Sequence, residues 1–346
     1  MEKILKTPDN QNPMLYNLRR IENLNPSMRY DGKEDFFAWQ KRAKGKLAEL
    51  LGMDKLVRCP AELAVEHRTE TEEYEEIRFT FQSEPGYRVP AVLRVPKSKE
   101  KGTAPLVVCL QGHSNGFHIS LGKPFFDGDE NTIKGGDRDF AVRIVKEGFA
   151  ALAIEQRNFG ECGGKEKGGT YCHVSSMSAI IQGRTTIGER VWDVSRALDA
   201  VTESFSDLVD TDEIMCMGNS GGGTATYYTA CLEERIKLAM PSCAIATYKS
   251  SIAAMFHCVC NFIPHIAEYF DMGDLAGLIA PRKLVIVNGR YDDGFPDAGA
   301  RECFDIAKSL YEAAGVPGEC AFVTGPEGHR FYADIGWAKA HELLGY

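Results

Sequence analysis

The chain has 346 residues, 44% of them hydrophobic, and a formal net charge of −9. That is enough for one large α/β domain or two small ones, and the acidic balance argues against general nucleic-acid binding. The N-terminus, Met1-Glu2-Lys3-Ile4-Leu5-Lys6, lacks a signal-peptide core and no stretch approaches the roughly 20 apolar residues of a bilayer span, so a cytoplasmic protein without membrane contact is expected.

Residues 1–30 are polar, rich in Asn and Pro, and read as an irregular arm. Phe36, Trp39, Ala43, Leu47 and Leu50 recur at helical spacing and Gly52 can stop the helix. This helix over 31–52 packs on the main domain or at a subunit contact of a homo-oligomer, so residues 1–70 are taken as an N-terminal arm and helix and 71–346 as the main unit. Tyr74 to Phe81 and Tyr87 to Val95 read as strands, and Ser83, Pro85 and Gly86 between them make an antiparallel hairpin. From there strand and helix alternate. Pro105 to Leu110 is a buried strand, Phe140 to Glu147 a short helix, and Ala150 to Ile154 a strand. Ile187, Val191, Val194, Leu198 and Val201 mark one face of an amphipathic helix. Ile214 to Met217, Ile236 to Met240, Leu284 to Val287 and Cys320 to Val323 are further strands. Ala298 to Ala314 and Phe331 to Leu344 are helices. The pattern predicts an α/β fold, with a mostly parallel sheet, an antiparallel N-terminal hairpin and helices on both faces. The longest excursion between core elements is 243–280. Its Phe256 and Phe262 are candidates for apolar substrate walls in a cap, or else complete the core.

Gly218-Asn219-Ser220-Gly221-Gly222 fits G-x-S-x-G directly after a strand and before a helix. A nucleophilic serine on a sharp strand-to-helix turn needs small neighbours, and the Gly221 N–H can then face an oxyanion. Asp292 follows the strand at 284–287 and His329 the strand at 320–323, giving the chain order Ser, Asp, His. The 11 cysteines are an odd number, and Cys109, Cys216 and Cys320 lie in apolar runs, so buried reduced thiols are expected rather than a disulfide framework. His257-Cys258-Val259-Cys260 carries ligand-type residues, but a second pair at finger-like spacing is missing, and His113 and His118 do not supply one. No metal site is expected on this reading.

The ordered triad, the elbow and the hairpin resemble the α/β-hydrolase superfamily, and within it the acetyl xylan esterases and dienelactone-hydrolase-like carboxylesterases. Ala280-Pro281-Arg282 before a strand and Gly289-x-x-Asp292-x-x-x-Pro296 carry this likeness, and the second favours Asp292 over Asp293 as the acid. Glu155-Gln156-Arg157-Asn158-Phe159-Gly160-Glu161 is similar to a D-x-R-G-x-G-x-S stretch of such enzymes. Relatives carry His-Gly after the third strand where this chain has Gln111-Gly112-His113. The resemblance implies that the His113 amide is the second oxyanion donor. It also implies a serine carboxylic-ester hydrolase that needs no cofactor and removes a small acyl group, such as acetyl, from an oligosaccharide or other small ester. A serine peptidase of the same fold, or a binding protein on this scaffold, are the alternatives. Cleavage of aminoacyl amides would mark the first, and failure of Ser220 to react with a fluorophosphonate the second.

Overall fold

A computed structural model describes residues 8–164 and 170–345. Asn12 caps a first helix, α1 (Pro13–Glu22), by accepting from the Met14 and Leu15 amides, with Pro13 at its first position. The arm expected to be irregular therefore contains a helix. The next helix, α2 (Phe36–Leu51), is capped by the Asp35 side chain and stopped by left-handed Gly52. It buries Phe36, Trp39, Ala43 and Leu47, with Leu51 rather than Leu50 as its fully buried last residue.

Nine strands form one sheet: β1 (Ala64–Glu70), β2 (Tyr74–Glu84), β3 (Tyr87–Pro96), β4 (Pro105–Leu110), β5 (Ala150–Ile154), β6 (Asp210–Asn219), β7 (Ile236–Ser242), β8 (Lys283–Gly289) and β9 (Cys320–Gly325). Their order across the sheet is β1-β2-β3-β5-β4-β6-β7-β8-β9. The pairs β1/β2, β2/β3 and β3/β5 are antiparallel, and every pair from β5/β4 to β8/β9 is parallel. The hairpin closes through Pro85 and Gly86, with Gly86 at φ 80°. An exposed strand, β1, extends the sheet beyond the hairpin from within the segment read as arm and helix.

The remaining helices are α3 (Asp129–Gly135), α4 (Phe140–Lys146), α5 (Cys172–Ile181), α6 (Thr186–Phe205), α7 (Gly221–Leu232), the single turn α8 (Ile266–Tyr269), α9 (Asp297–Ala313) and α10 (Ala333–Leu344). Strand side chains alternate between two cores. Leu106, Val108 and Leu110 of β4 join α2, α6, α7 and α9 on one face, while Val107 and Cys109 join α4 and α10 on the other. The result is a three-layer α/β sandwich whose strand ends β4, β6, β7, β8 and β9 share one carboxyl edge, where ligands of open parallel sheets bind. The expected fold class is what the structure has. Cys109, Cys216 and Cys320 are buried and free, as are most of the other cysteines. Among the described residues no helix is long and apolar enough to cross a membrane.

Candidate active site

Ser220 stands between β6 and α7 at φ 58° and ψ −125°, a backbone state that costs a non-glycine residue about 1–3 kcal/mol and persists only under external constraint. The constraint is close packing. A Cβ on Gly222 would lie 2.0 Å from the Leu110 carbonyl oxygen, and one on Gly218 would lie 2.6 Å from Gly222 backbone atoms. The Ser220 N–H donates to Ser242 O at 2.8 Å, and Ser220 O accepts from the Thr224 N–H at 2.8 Å. Ser220 thus occupies the N-cap of α7, whose first amides, that of Gly221 included, have no partner within the helix.

The acid and the base meet across the next loops. A Cβ on Gly289 would lie 2.0 Å from Gly328 O, so the β8 and β9 loops close tightly on one another. The Tyr291 N–H donates to Glu327 O at 2.9 Å. This brings His329 Nδ1 to 2.9 Å from Asp292 Oδ2. Asp292 Oδ1 accepts from the Gly294 and Phe295 amides, both at 2.8 Å. Burial pushes the Asp292 carboxyl up, but its bonds to His329 and the Phe295 amide outweigh that and hold it below its ordinary value. Asp293 is exposed. The imidazole of His329 stays partly open to solvent while Asp292 is covered. Cys243, directly after the Ser242 that receives the Ser220 amide, donates its thiol to Arg330 O at 3.2 Å. The end of β7 therefore ties the serine turn to the Asp–His pair. His257 Nε2 lies 3.1 Å from both Ser251 Oγ and Gly294 O, and its ring packs on Phe295, which stacks on His329. Burial, followed by His329, pushes its imidazole down, toward the neutral form.

On the other side of Ser220 lies the loop after β4. A Cβ on Gly112 would fall 2.8 Å from Ser220 Cβ, so only glycine fits there. The ring of His113 lies against Gly221, whose Cβ position is 3.0 Å from His113 Nδ1. The structure thus places the Gly221 backbone and the His113 ring together beside Ser220. Gln111 is a buried organiser: its Nε2 donates to Ser120 Oγ (2.8 Å) and Arg138 O (2.6 Å), and its Oε1 accepts from Arg138 Nε (2.9 Å). Glu155 Oε2 accepts the Phe117 N–H at 3.2 Å and the Glu161 N–H at 3.1 Å, tying the β4 and β5 loops together. Burial pushes the Glu155 carboxyl up to about 8.

Two readings of the sequence need correction. His113, Cys172, Cys258 and Cys260 converge, with their ligand atoms all within 4.8 Å of one another. Spacing along the chain offers the Cys258-x-Cys260 pair no second pair, yet His113 after β4 and Cys172 at the start of α5 lie beside it, while His257 packs on Phe295. Phe262 lines a cavity of about 230 Å³ with Ile21, Tyr248 and Ile263 that contains none of Ser220, Asp292 and His329. Phe256 is 96% exposed next to His257, while Tyr248, Ile252, Phe270 and Leu275 of the same 243–280 segment are buried in the core. Core completion therefore accounts for most of this segment, and a wall of both phenylalanines does not form.

A family model described as Abhydrolase family matches residues 4–182, just over half of the chain. The chain belongs to the Abhydrolase family. Within curated proteins it is similar to YtaP of Bacillus subtilis (strain 168), named as a hydrolase, at 27% identity over 249 residues, covering 70% of this chain and 78% of the relative. This Abhydrolase chain also resembles a 4-O-methyl-glucuronoyl methylesterase of Phanerochaete carnosa (strain HHB-10118-sp), at 24% identity, covering 52% of the chain and 50% of the relative. Among solved structures it superposes with BF1801 of Bacteroides fragilis NCTC 9343, described as an acetyl xylan esterase, at a TM-score of 0.75 and 17% identity, covering 92% of this chain and 84% of that one. A glucuronoyl esterase from Solibacter usitatus superposes at a TM-score of 0.67 and 14% identity, covering 94% and 98%. At these identities the superpositions establish the α/β-hydrolase fold.

Proposed function

We propose that this protein is a serine carboxylic-ester hydrolase that acts on carbohydrate esters through an acyl-enzyme. The observation that carries the proposal is the strained Ser220 turn on the same sheet edge as the 2.9 Å His329–Asp292 bond. A serine hydroxyl is a weak nucleophile and needs a base to take its proton. His329 takes it as the oxygen attacks the ester carbonyl and later passes it to the leaving alkoxide. Asp292, buried and held ionised, fixes the His329 tautomer with its proton on Nδ1 and stabilises the imidazolium. The amides of Gly221 and His113 receive the negative charge of the tetrahedral intermediate, and each such donor is worth about 2.7–4 kcal/mol. Water then attacks the acyl-enzyme with His329 as base.

Acetyl removal from an oligosaccharide is the first substrate reading, supported by the likeness to acetyl xylan esterases. A second reading, hydrolysis of an alkyl ester of a uronic acid, is favoured by the curated relatives named as 4-O-methyl-glucuronoyl methylesterases. The same residues serve both: in the first the acyl-enzyme carries acetate and the sugar leaves as the alcohol, in the second it carries the uronate and the alkyl alcohol leaves. Assay of p-nitrophenyl acetate, acetylated xylo-oligosaccharides, methyl glucuronate and an aminoacyl amide separates them. Turnover of sugar esters with no amide cleavage is expected. Amide cleavage with no ester turnover would overturn the proposal in favour of a peptidase.

A further inference from the structure

Four ligand-type side chains converge beside the candidate active site from three separate regions of the chain. His113 Nε2 lies 3.4 Å from Cys260 Sγ and 3.8 Å from Cys172 Sγ. The four ligand atoms, Cys258 Sγ included, all lie within 4.8 Å of one another. Zinc–sulfur bonds of about 2.3 Å and zinc–nitrogen bonds of about 2.0–2.1 Å in a tetrahedron place neighbouring ligand atoms about 3.5–3.8 Å apart. Both nitrogen-to-sulfur separations are close to that spacing, and all three cysteines are free.

A second observation points the same way. Arg190 is 1% exposed, and its Nη1 lies 3.6 Å from Cys260 Sγ. Its Nε and Nη2 donate to Arg157 O at 3.3 and 2.9 Å, and its guanidinium covers the Phe159 ring at 4.2 Å. Among the described residues no carboxylate forms a salt bridge with it. A buried guanidinium is costly without an anion. Three thiolates and a neutral imidazole around a divalent ion carry one net negative charge, which Arg190 offsets. Phe159, Cys172 and Cys260 also form a small packed cluster of their own, with Cys258 and Val259 against it. Such a shell limits water around the ligands.

We propose that His113, Cys172, Cys258 and Cys260 bind one zinc(II) in a closed tetrahedral Cys3His site. Sulfur and imidazole donors suit zinc, and four protein ligands leave no open position for catalysis, so the site is structural. Binding forms three zinc–sulfur bonds and one zinc–nitrogen bond and releases the thiol protons to solvent. Ligation through Nε2 leaves the His113 ring proton on Nδ1, the nitrogen beside Gly221. The ion fastens the loop after β4 to the start of α5 and to the 258–260 turn. Where Ser220 is the nucleophile, as proposed above, the same ion fixes the His113 amide at the oxyanion.

The test is the metal content of the full chain, expressed with zinc, purified without chelator and kept reduced. About one zinc per chain is expected by plasma mass spectrometry, and cobalt substitution should give thiolate-to-cobalt charge-transfer absorption. Cys172→Ser and Cys258→Ser should lose the metal and the cobalt spectrum, while Cys59→Ser, whose thiol donates to Gln82 O and is no member of the cluster, should keep both. Ser220→Ala should also keep the zinc, so failure of the esterase reading and failure of the zinc site are told apart. Wild-type protein with less than about 0.1 zinc per chain after reconstitution would overturn the proposal. So would full zinc retention in both ligand variants, or a disulfide among the three cysteines in the freshly isolated chain.

Discussion

At the scale of single residues, Ser220 is held in its turn by the absence of side chains around it. Gly112, Gly218 and Gly222 each let a backbone approach that a Cβ would block. Ser220→Ala should preserve the fold and lower kcat by several decades. On the proposed mechanism Ser220 and His329 work as a unit, so adding His329→Ala should cost little more, and additive losses in the double-mutant cycle would separate the two residues. Asp292→Asn should also cost orders of magnitude, by presenting His329 with the wrong tautomer, whereas exposed Asp293→Asn should be mild. Steady-state kinetics on both asparagine variants checks this, and the reverse ranking would contradict the assignment. These residues are legible in the sequence because each follows an apolar run that marks a strand end. The metal-ligand cluster is not. Its four residues come from the loop at 113, the start of α5 at 172 and the turn at 258–260, and only the folded sheet edge gives them a common address.

At the scale of elements, α7 can pack on the sheet only through glycine. Gly222→Ala places a methyl group 2.0 Å from the Leu110 carbonyl, a backbone atom that cannot step aside. Denaturant titration should show a loss of at least about 1–3 kcal/mol, the usual cost of overpacking. The β4 and β5 loops are joined by Glu155, whose carboxyl is pushed up to about 8 by burial. The unfolded value is about 4.3, so the fold holds a proton that the unfolded chain releases. Stability should therefore fall as pH rises from about 4.3 toward 8 and level off above. Glu155→Gln keeps the acceptor but removes the titration, so its Tm should fall less than the wild-type Tm between pH 5 and 8. Parallel profiles would contradict the buried neutral carboxyl. In the 243–280 segment, Phe256→Ala should change the preference between acetyl and butyryl esters by no more than about 1–3 kcal/mol, and Phe262→Ala should leave it unchanged. The apolar composition of this segment could not distinguish a cap from core. Tyr248, Phe270 and Leu275 pack inward, and the two phenylalanines part company. The strand β1 leaves no signal in the sequence because all its residues are exposed and no apolar alternation marks it, whereas Asn12 and Pro13 carry the cap signal of α1.

At the scale of the whole molecule, the N-terminal segment is part of the α/β unit's core. Trp39 is 1% exposed, lies against Gly277, and donates its Nε1–H to Met28 O at 2.7 Å. Trp39→Ala should cost about 3–5 kcal/mol of stability with little change in kcat, as judged by thermal unfolding beside activity below the transition. The fold class was legible because β and α runs alternate along the chain with near-continuous apolar strands. On the proposed mechanism the chemistry rests on one sheet edge, where Ser220, Asp292 and His329 arrive from three strand ends. A fluorophosphonate probe tests that claim most directly. Peptide mass spectrometry should find one phosphonyl group, on Ser220, absent in Ser220→Ala and formed much more slowly in His329→Ala. An unlabelled Ser220 in protein that hydrolyses esters would contradict the account.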